Sequence, residues 1–154
     1  MKKIFKVVAV VALSLVIAVG LAACNGDSGG TTDGGTDPDA AQYLVLFNQA
    51  VGVFDNDANL ELMFNGTRAQ LGGLANHYPA GLVRLAVFQH AINEMIGVNI
   101  ILFDTSANAN AGATEIFEHG HHIVGQNGRV VVESNSRNLV ERVIEEIGGE
   151  ILAA

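Results

Sequence analysis

An apolar run near the amino terminus, and the polar stretch behind it, limit how much of this chain can fold into a domain. Residues 7–23 are apolar apart from Ser14 and Gly20, and all three lysines precede them. Residues 25–37 read NGDSGGTTDGGTD, a composition that buries too little apolar surface to fold and is typical of a flexible tether. Residues 38–154 remain, and they are enough for one domain with its own core.

The first 23 residues have the order of parts found in a secretory signal peptide. A positively charged start leads into the apolar run, and small residues follow at its end. The run is at the short end of what a membrane-spanning helix needs. Because lysines before such a segment stay on the cytoplasmic side, we expect the rest of the chain to cross the membrane.

The leader ends in Leu21-Ala22-Ala23-Cys24. This sequence resembles the lipobox of bacterial lipoproteins. The resemblance implies that Cys24 receives a thioether-linked diacylglycerol, and that cleavage just before Cys24 makes it the new amino terminus. Two acyl chains hold a protein stably on a bilayer, whereas one holds it only marginally. An uncleaved anchor and an ordinary secretory signal are the alternatives.

Cys24 and its neighbour Asn25 also indicate in which compartment and on which membrane the protein lies. Cys24 is the only cysteine, so no disulfide can form within the chain. Asn25 departs from the aspartate that the resemblance associates with inner-membrane retention in didermal bacteria. We therefore expect a lipid anchor in the cell membrane, facing away from the cytoplasm, with the outer membrane as the alternative in a didermal host.

The charge beyond the leader excludes two kinds of partner. That part of the chain has no lysine and five arginines, against all 16 acidic residues. A nucleic-acid-binding protein needs a basic surface, and so does a polybasic membrane-surface module. We therefore expect the bilayer to be reached through acylated Cys24, and the domain to bind an envelope protein or a small solute.

The apolar periodicity predicts an α+β fold in which amino-terminal helices precede a small sheet with a β-hairpin and a carboxy-terminal helix. Helices are expected from Pro38 (capped by Asp37) to Phe54, over Leu60–Leu74, over Pro79–Ile96 and over Arg137–Ile147. A buried strand is expected over Val98–Phe103, a loop over 105–113, and strand-like runs over Thr114–Gly125 and Arg129–Glu133. Asn127-Gly128 between the last two runs predicts a hairpin.

A histidine cluster in the predicted domain is a candidate for metal binding or proton transfer. If the segment is extended, His119 and His121 project to one side and His122 to the other. Imidazoles two residues apart can share a zinc ion, but a zinc site needs three or four ligands. His77, His90, Glu115 or Asp104 would have to complete the set. A polar strand face is the alternative, and a general acid or base is another, because histidine titrates near neutrality.

Asp104 follows the predicted buried strand, and Thr105 and Asn108 lie in the small-residue loop behind it. A strand end of this kind can line a ligand site, as it does in open parallel sheets. We therefore treat Asp104, Thr105 and Asn108 as candidate ligand-binding residues. A turn that begins at Asp104 is the alternative.

Several functional motifs are missing or incomplete. Residues 55–59 resemble the start of a calcium loop, but Leu60 stands where glycine is needed and Gly66 where a bidentate glutamate is needed. A nucleophile elbow, a P-loop and a His-Glu-x-x-His helix are all missing. We therefore expect a non-catalytic binding module with no catalytic residues and no required cofactor. The alternatives are a solute-binding lipoprotein of a transport system, and a zinc-binding protein or metal-dependent hydrolase that uses His119, His121 and His122.

Overall fold

The computed structural model describes residues 39–119 and 122–152, all within the compact unit Gly35–Ala154. The predicted leader, Cys24 and the tether lie outside the described residues. Within the described ranges, no helix is both long enough and apolar enough to cross a membrane.

The described chain contains four α-helices, a short 3₁₀ helix and six strands. The helices are α1 (Ala40–Gly52), α2 (Arg68–Leu71), the 3₁₀ helix (Gly72–His77), α3 (Ser106–His119) and α4 (Arg137–Ile147). The strands are β1 (Leu60–Thr67), β2 (Leu82–His90), β3 (Gly97–Phe103), β4 (Ile123–Asn127), β5 (Val130–Ser134) and β6 (Glu150–Ile151). They form one sheet in the order β1-β2-β3-β5-β4-β6, and every neighbouring pair is antiparallel.

Helices cover both faces of this sheet. α1 and α4 pack on one face, against Ile100 and Leu102 of β3. α2, the 3₁₀ helix and α3 pack on the other, against Ile101 and Phe103 of the same strand. Because β3 is buried on both faces, its sequence from Val98 to Phe103 is apolar at every position except Asn99. The expected buried strand is confirmed at this position.

The first and last helices are also confirmed. α4 occupies the predicted range, and it buries residues spaced three and four apart on one face. α1 begins at Ala40 after the cap residue Asp39, and it ends in a turn before Asp57. The predicted cap Asp37 lies outside the described residues.

Two predicted helices are wrong over residues 60–67 and 82–90, which form strands β1 and β2. The end of the first predicted helix is helical, as α2 and the start of the 3₁₀ helix. A bulge between Leu82 and Arg84 shifts the side-chain alternation of β2 by one residue. Because of the bulge, Leu82 and Leu85 lie on the same face of the sheet. Apolar residues three positions apart are also typical of a helix. In β1 a second bulge at Met63 breaks the alternation in the same way.

A loop was predicted over 105–113 and a strand from Thr114 onward. Both predictions are wrong over Ser106–His119, because these residues form α3. The small residues of this segment are the helix face that contacts the sheet. Ala109 and Ala113 are fully buried, and a Cβ on Gly112 would lie 2.5 Å from the Phe103 ring. A helix with larger side chains at these positions could not approach the sheet so closely.

The carboxy-terminal hairpin is confirmed, since β4 and β5 pair around Gly128 and Arg129. Gly128 has a φ of 56°, a left-handed conformation that glycine adopts without strain. The α+β class is confirmed as well. The carboxy-terminal helix α4 lies after β5, as expected. The expected order of elements is wrong in part, because α2, the 3₁₀ helix and α3 lie among the strands and not before them.

Candidate functional site

A polar pair interrupts the apolar face of the sheet that α3 covers. Asn99 on β3 and Glu133 on β5 are direct cross-strand partners, and Asn99 Nδ2 donates a hydrogen bond of 2.6 Å to Glu133 Oε1. Their neighbours along the same row are Val87 and Val124. Only 13% of the Glu133 side chain is exposed. A carboxylate this deeply placed is held in one orientation by its amide partner.

A cleft of about 360 Å³ opens beside Glu133, between α3 and the segment that follows the 3₁₀ helix. Its described lining residues are His77, Tyr78, Pro79, Ile101, Glu115, Ile116, His122 and Glu133. A hollow of about 300 Å³ shares His122 and Glu133 with it and reaches Asn99. Apolar walls with a few convergent polar groups are the usual composition of a small-ligand site.

Two side chains of the cleft face the Glu133 carboxylate. His122 is about half exposed, and its Nδ1 lies 4.0 Å from Glu133 Oε2. Burial raises the pKa of the Tyr78 phenol, and the negative charge of Glu133 raises that pKa further. Tyr78 therefore stays protonated through neutral pH, and its hydroxyl can donate a hydrogen bond to a bound group.

The predicted histidine cluster is only partly described. The backbone of His119 ends α3, so the extended segment that would align His119 with His121 does not exist there. His121 lies outside the described residues. His122 lines the cleft together with His77 and Glu115, two of the residues that were expected to complete a zinc site. Within residues 39–119 and 122–152, no group of three or more ligating side chains has an arrangement that could hold a metal ion.

The other two expected contributors lie elsewhere. His90 ends β2, and its Nδ1 accepts the backbone N–H groups of Ile92 and Asn93 at 3.2 and 3.1 Å. Those bonds order the turn between β2 and β3. Asp104 lies just beyond the end of β3, away from the cleft lining.

The structure brings Asp104, Thr105 and Asn108 together at the start of α3. The backbone N–H of Asn108 donates to Thr105 Oγ1 at 3.1 Å, and Asn108 Nδ2 donates to Asp104 Oδ1 at 2.7 Å. These bonds cap the first turn of the helix. Asp104 alone of the three is among the described lining of a cavity, which lies beside α1.

Sequence reasoning missed Asn99, Glu133 and Tyr78. Asn99 and Glu133 each interrupt a run of apolar strand residues, at Val98-Asn99-Ile100 and at Val132-Glu133. A polar residue within a strand that is buried on both faces needs a partner or a function. This signal was present in the sequence, but the pairing of β3 with β5 was not.

The cleft offers hydrogen-bond acceptors and titratable groups. Its described lining has two carboxylates, two imidazoles and one phenol, without serine, threonine, cysteine or lysine. Such a set can accept hydrogen bonds from a bound cation and can exchange protons with it.

Comparisons with known proteins found no family model, no curated protein and no solved structure that matches this chain.

Proposed function

We propose that this chain is a membrane-anchored cell-envelope lipoprotein whose domain is a non-catalytic binding module for a small, positively charged solute. The anchor rests on Leu21-Ala22-Ala23-Cys24 and the leader before it. The ligand class rests on the cleft, above all on the Glu133 carboxylate that Asn99 holds at 2.6 Å.

The charge of the cleft supports a cationic ligand. Glu133 and Glu115 line it, and the part of the cleft that the structure describes contains neither arginine nor lysine. A primary ammonium group can donate three hydrogen bonds, and a charge-assisted bond to a carboxylate is about twice as strong as a neutral one. Ile101 and Ile116 provide apolar surface for the carbon chain of the ligand.

Binding of simple amines tests this proposal. We expect butylamine and 1,4-diaminobutane to shift the amide NMR signals of Asn99, Tyr78 and Glu133, and butyrate to leave them unchanged. Glu133→Gln removes the charge but keeps the shape, and should weaken amine binding about tenfold, as expected for loss of a charge-assisted bond. Glu145→Gln is the matched control, because Glu145 is exposed on α4 at the opposite face of the sheet.

Two results would contradict the proposal. One is the absence of any shift at these residues at millimolar amine. The other is equal binding by the Glu133→Gln and Glu145→Gln variants. A solute-binding role within a transport system is the related alternative, and it gains support if the domain with amine bound associates with a membrane permease.

A zinc site is the second candidate function, because His77, His122, Glu115 and Glu133 line one cleft, although no three of these described residues are arranged to hold a metal ion. Its test is the metal content of protein purified without chelator. Real structural sites bind tightly, so we expect close to one zinc per chain if the site exists. Less than about 0.1 metal per chain would exclude it.

A further inference from the structure

A second cavity lies between α1 and the end of the sheet at which β3 finishes, and it encloses about 410 Å³. Its walls are mainly apolar. Tyr43 and Leu44 contribute from α1, Val83 from β2, and Leu102 and Phe103 from β3. A volume of this size lies within the range of small-ligand sites.

Arg84 lines this cavity without a carboxylate partner among the described residues. Its guanidinium carbon lies 5.4 Å from the centre of the Phe47 ring, and Nη2 makes only a long contact of 3.5 Å to Asn65 Oδ1. Its Nε is buried and has no hydrogen-bond partner within the part of the chain that the structure describes. A guanidinium has five N–H donors, so the Arg84 side chain at this cavity keeps donors for an acceptor group of a ligand.

A second arginine also lies at this cavity. Arg129 lines it too, with its guanidinium carbon 5.0 Å from the centre of the Tyr43 ring. Asp104 is the one carboxylate among the described lining residues, and it accepts the side-chain amide of Asn108 in the cap of α3. Two arginines beside one cavity contrast with the excess of acidic residues in the chain as a whole.

We infer that this cavity binds a small aliphatic carboxylate. The carboxylate accepts hydrogen bonds from the Arg84 guanidinium, whose planar donors match it in geometry. The hydrocarbon chain lies against Leu44, Val83 and Leu102, where its burial removes apolar surface from water. This site is separate from the cleft at Glu133, and it does not depend on the function proposed there.

Octanoate is the probe, titrated into a form of the chain that starts at Asn25, after the predicted lipidated cysteine, and that contains the whole compact unit Gly35–Ala154. We expect amide NMR shifts at Val83, Arg84 and Leu102, with none from octylamine and much weaker ones from octanol. Arg84→Gln should weaken octanoate binding at least about tenfold, the loss expected when a charged donor becomes neutral. Arg137→Gln is the matched control, because Arg137 is an exposed arginine on α4 that pairs with Glu141.

A second variant protects the test against misfolding of Arg84→Gln. Val83 is partly exposed at the cavity, so Val83→Glu should leave the fold intact while its carboxylate repels the ligand. Either of two findings overturns the inference: no shift at millimolar octanoate, or equal affinity in the parent and in both cavity variants. It is also overturned if octanol binds as well as octanoate, or if binding appears only after residues 25–36 are deleted, which would mean that the tether occupies the cavity.

Discussion

Asp57 links two elements that are distant in sequence. Arg142 Nη1 on α4 donates to Asp57 Oδ2 at 2.7 Å, and the Arg142 guanidinium carbon lies 4.9 Å from the centre of the Phe54 ring. The hydrogen bond from Arg142 lowers the pKa of Asp57, and a hydrogen bond from the backbone N–H of Asn59 lowers that pKa further. The pair therefore ties the turn after α1 to α4 while Asp57 is ionised.

This pKa shift predicts how stability depends on pH. Because the pKa of Asp57 is lower in the folded state, the pair stabilises the fold fully above the unfolded pKa, near 4, and that contribution is lost as the pH falls through the folded pKa. We expect Asp57→Asn to lower the free energy of unfolding by about 1 kcal/mol at neutral pH and by less at about pH 3. Urea unfolding at both pH values measures the difference. An equal loss of unfolding free energy at the two pH values would contradict the stabilising role assigned to ionised Asp57.

Gly81 occupies a position that no other residue fits. Its φ is 80°, and a Cβ there would lie 2.6 Å from Asp104 Oδ1. We expect Gly81→Ala to destabilise the fold by about 2 kcal/mol, since it combines backbone strain with a steric clash.

Gly52 provides the contrast to Gly81. It ends α1, and a Cβ there would meet no atom of the described residues within 4 Å. Gly52→Ala should therefore be neutral or stabilising by about 0.5 kcal/mol, because alanine favours the helix. Thermal unfolding of both variants checks the pair of predictions, and similar effects at the two positions would refute the argument from Gly81.

At the scale of elements, α3 depends on its cap. Thr105 Oγ1 accepts the backbone N–H of Asn108 at 3.1 Å, which satisfies one of the donors left free at a helix start. We expect Thr105→Ala to cost about 1 kcal/mol and Thr105→Ser to cost little, because serine supplies the same oxygen. Chemical denaturation measures both variants. Equal stability of Thr105→Ala and the parent would show that the cap contributes nothing.

The elements differ in how far their own sequences determine them. α4 and the hairpin around Gly128 follow from local spacing and turn chemistry, because each signal lies within a few consecutive residues. β2 does not, since its bulge gives it the spacing of a helix. α3 does not either, because its small residues resemble a loop until Phe103 is known to pack against Gly112.

At the level of the whole molecule, the buried apolar residues of the described ranges lie between Phe47 and Ile147. We therefore expect a chain that starts at Asp37 to fold by itself, because it retains α1 and every core residue. Circular dichroism would show mixed helix and strand, with a cooperative thermal transition. A random-coil spectrum would mean that residues before Asp37 are needed for folding.

The predicted membrane location of the protein depends on the lipid attached to the sulfur of Cys24. We expect Cys24→Ser to abolish incorporation of a fatty-acid probe and to leave precursor or released protein, because serine supplies no thioether. Asn25→Ser is a matched control that keeps the lipobox cysteine and should be labelled normally. Equal labelling of Cys24→Ser and the parent would remove the proposed anchor.

The candidate site could be predicted only in part. The histidine cluster pointed to His122, because ligating side chains stand out in a sequence. Glu115 and His77 were two of four residues named as possible further ligands, and the sequence did not place them near His122. Glu133 and Asn99 were not expected, since each is an isolated polar residue in an apolar strand. The hydrogen bond between them joins residues 34 positions apart and exists only because β3 pairs with β5.

The order of the amino acids was enough to predict the α+β class, the first and last helices, the buried strand β3 and the hairpin that contains Gly128. Each of these follows from a pattern of neighbouring residues, which the chain carries before it folds. The tertiary structure alone decided that residues 60–67 and 82–90 are strands, that 106–119 is a helix, and that Asn99 meets Glu133. Those outcomes depend on burial against distant partners on both faces of the sheet, and no local pattern encodes which partners will meet.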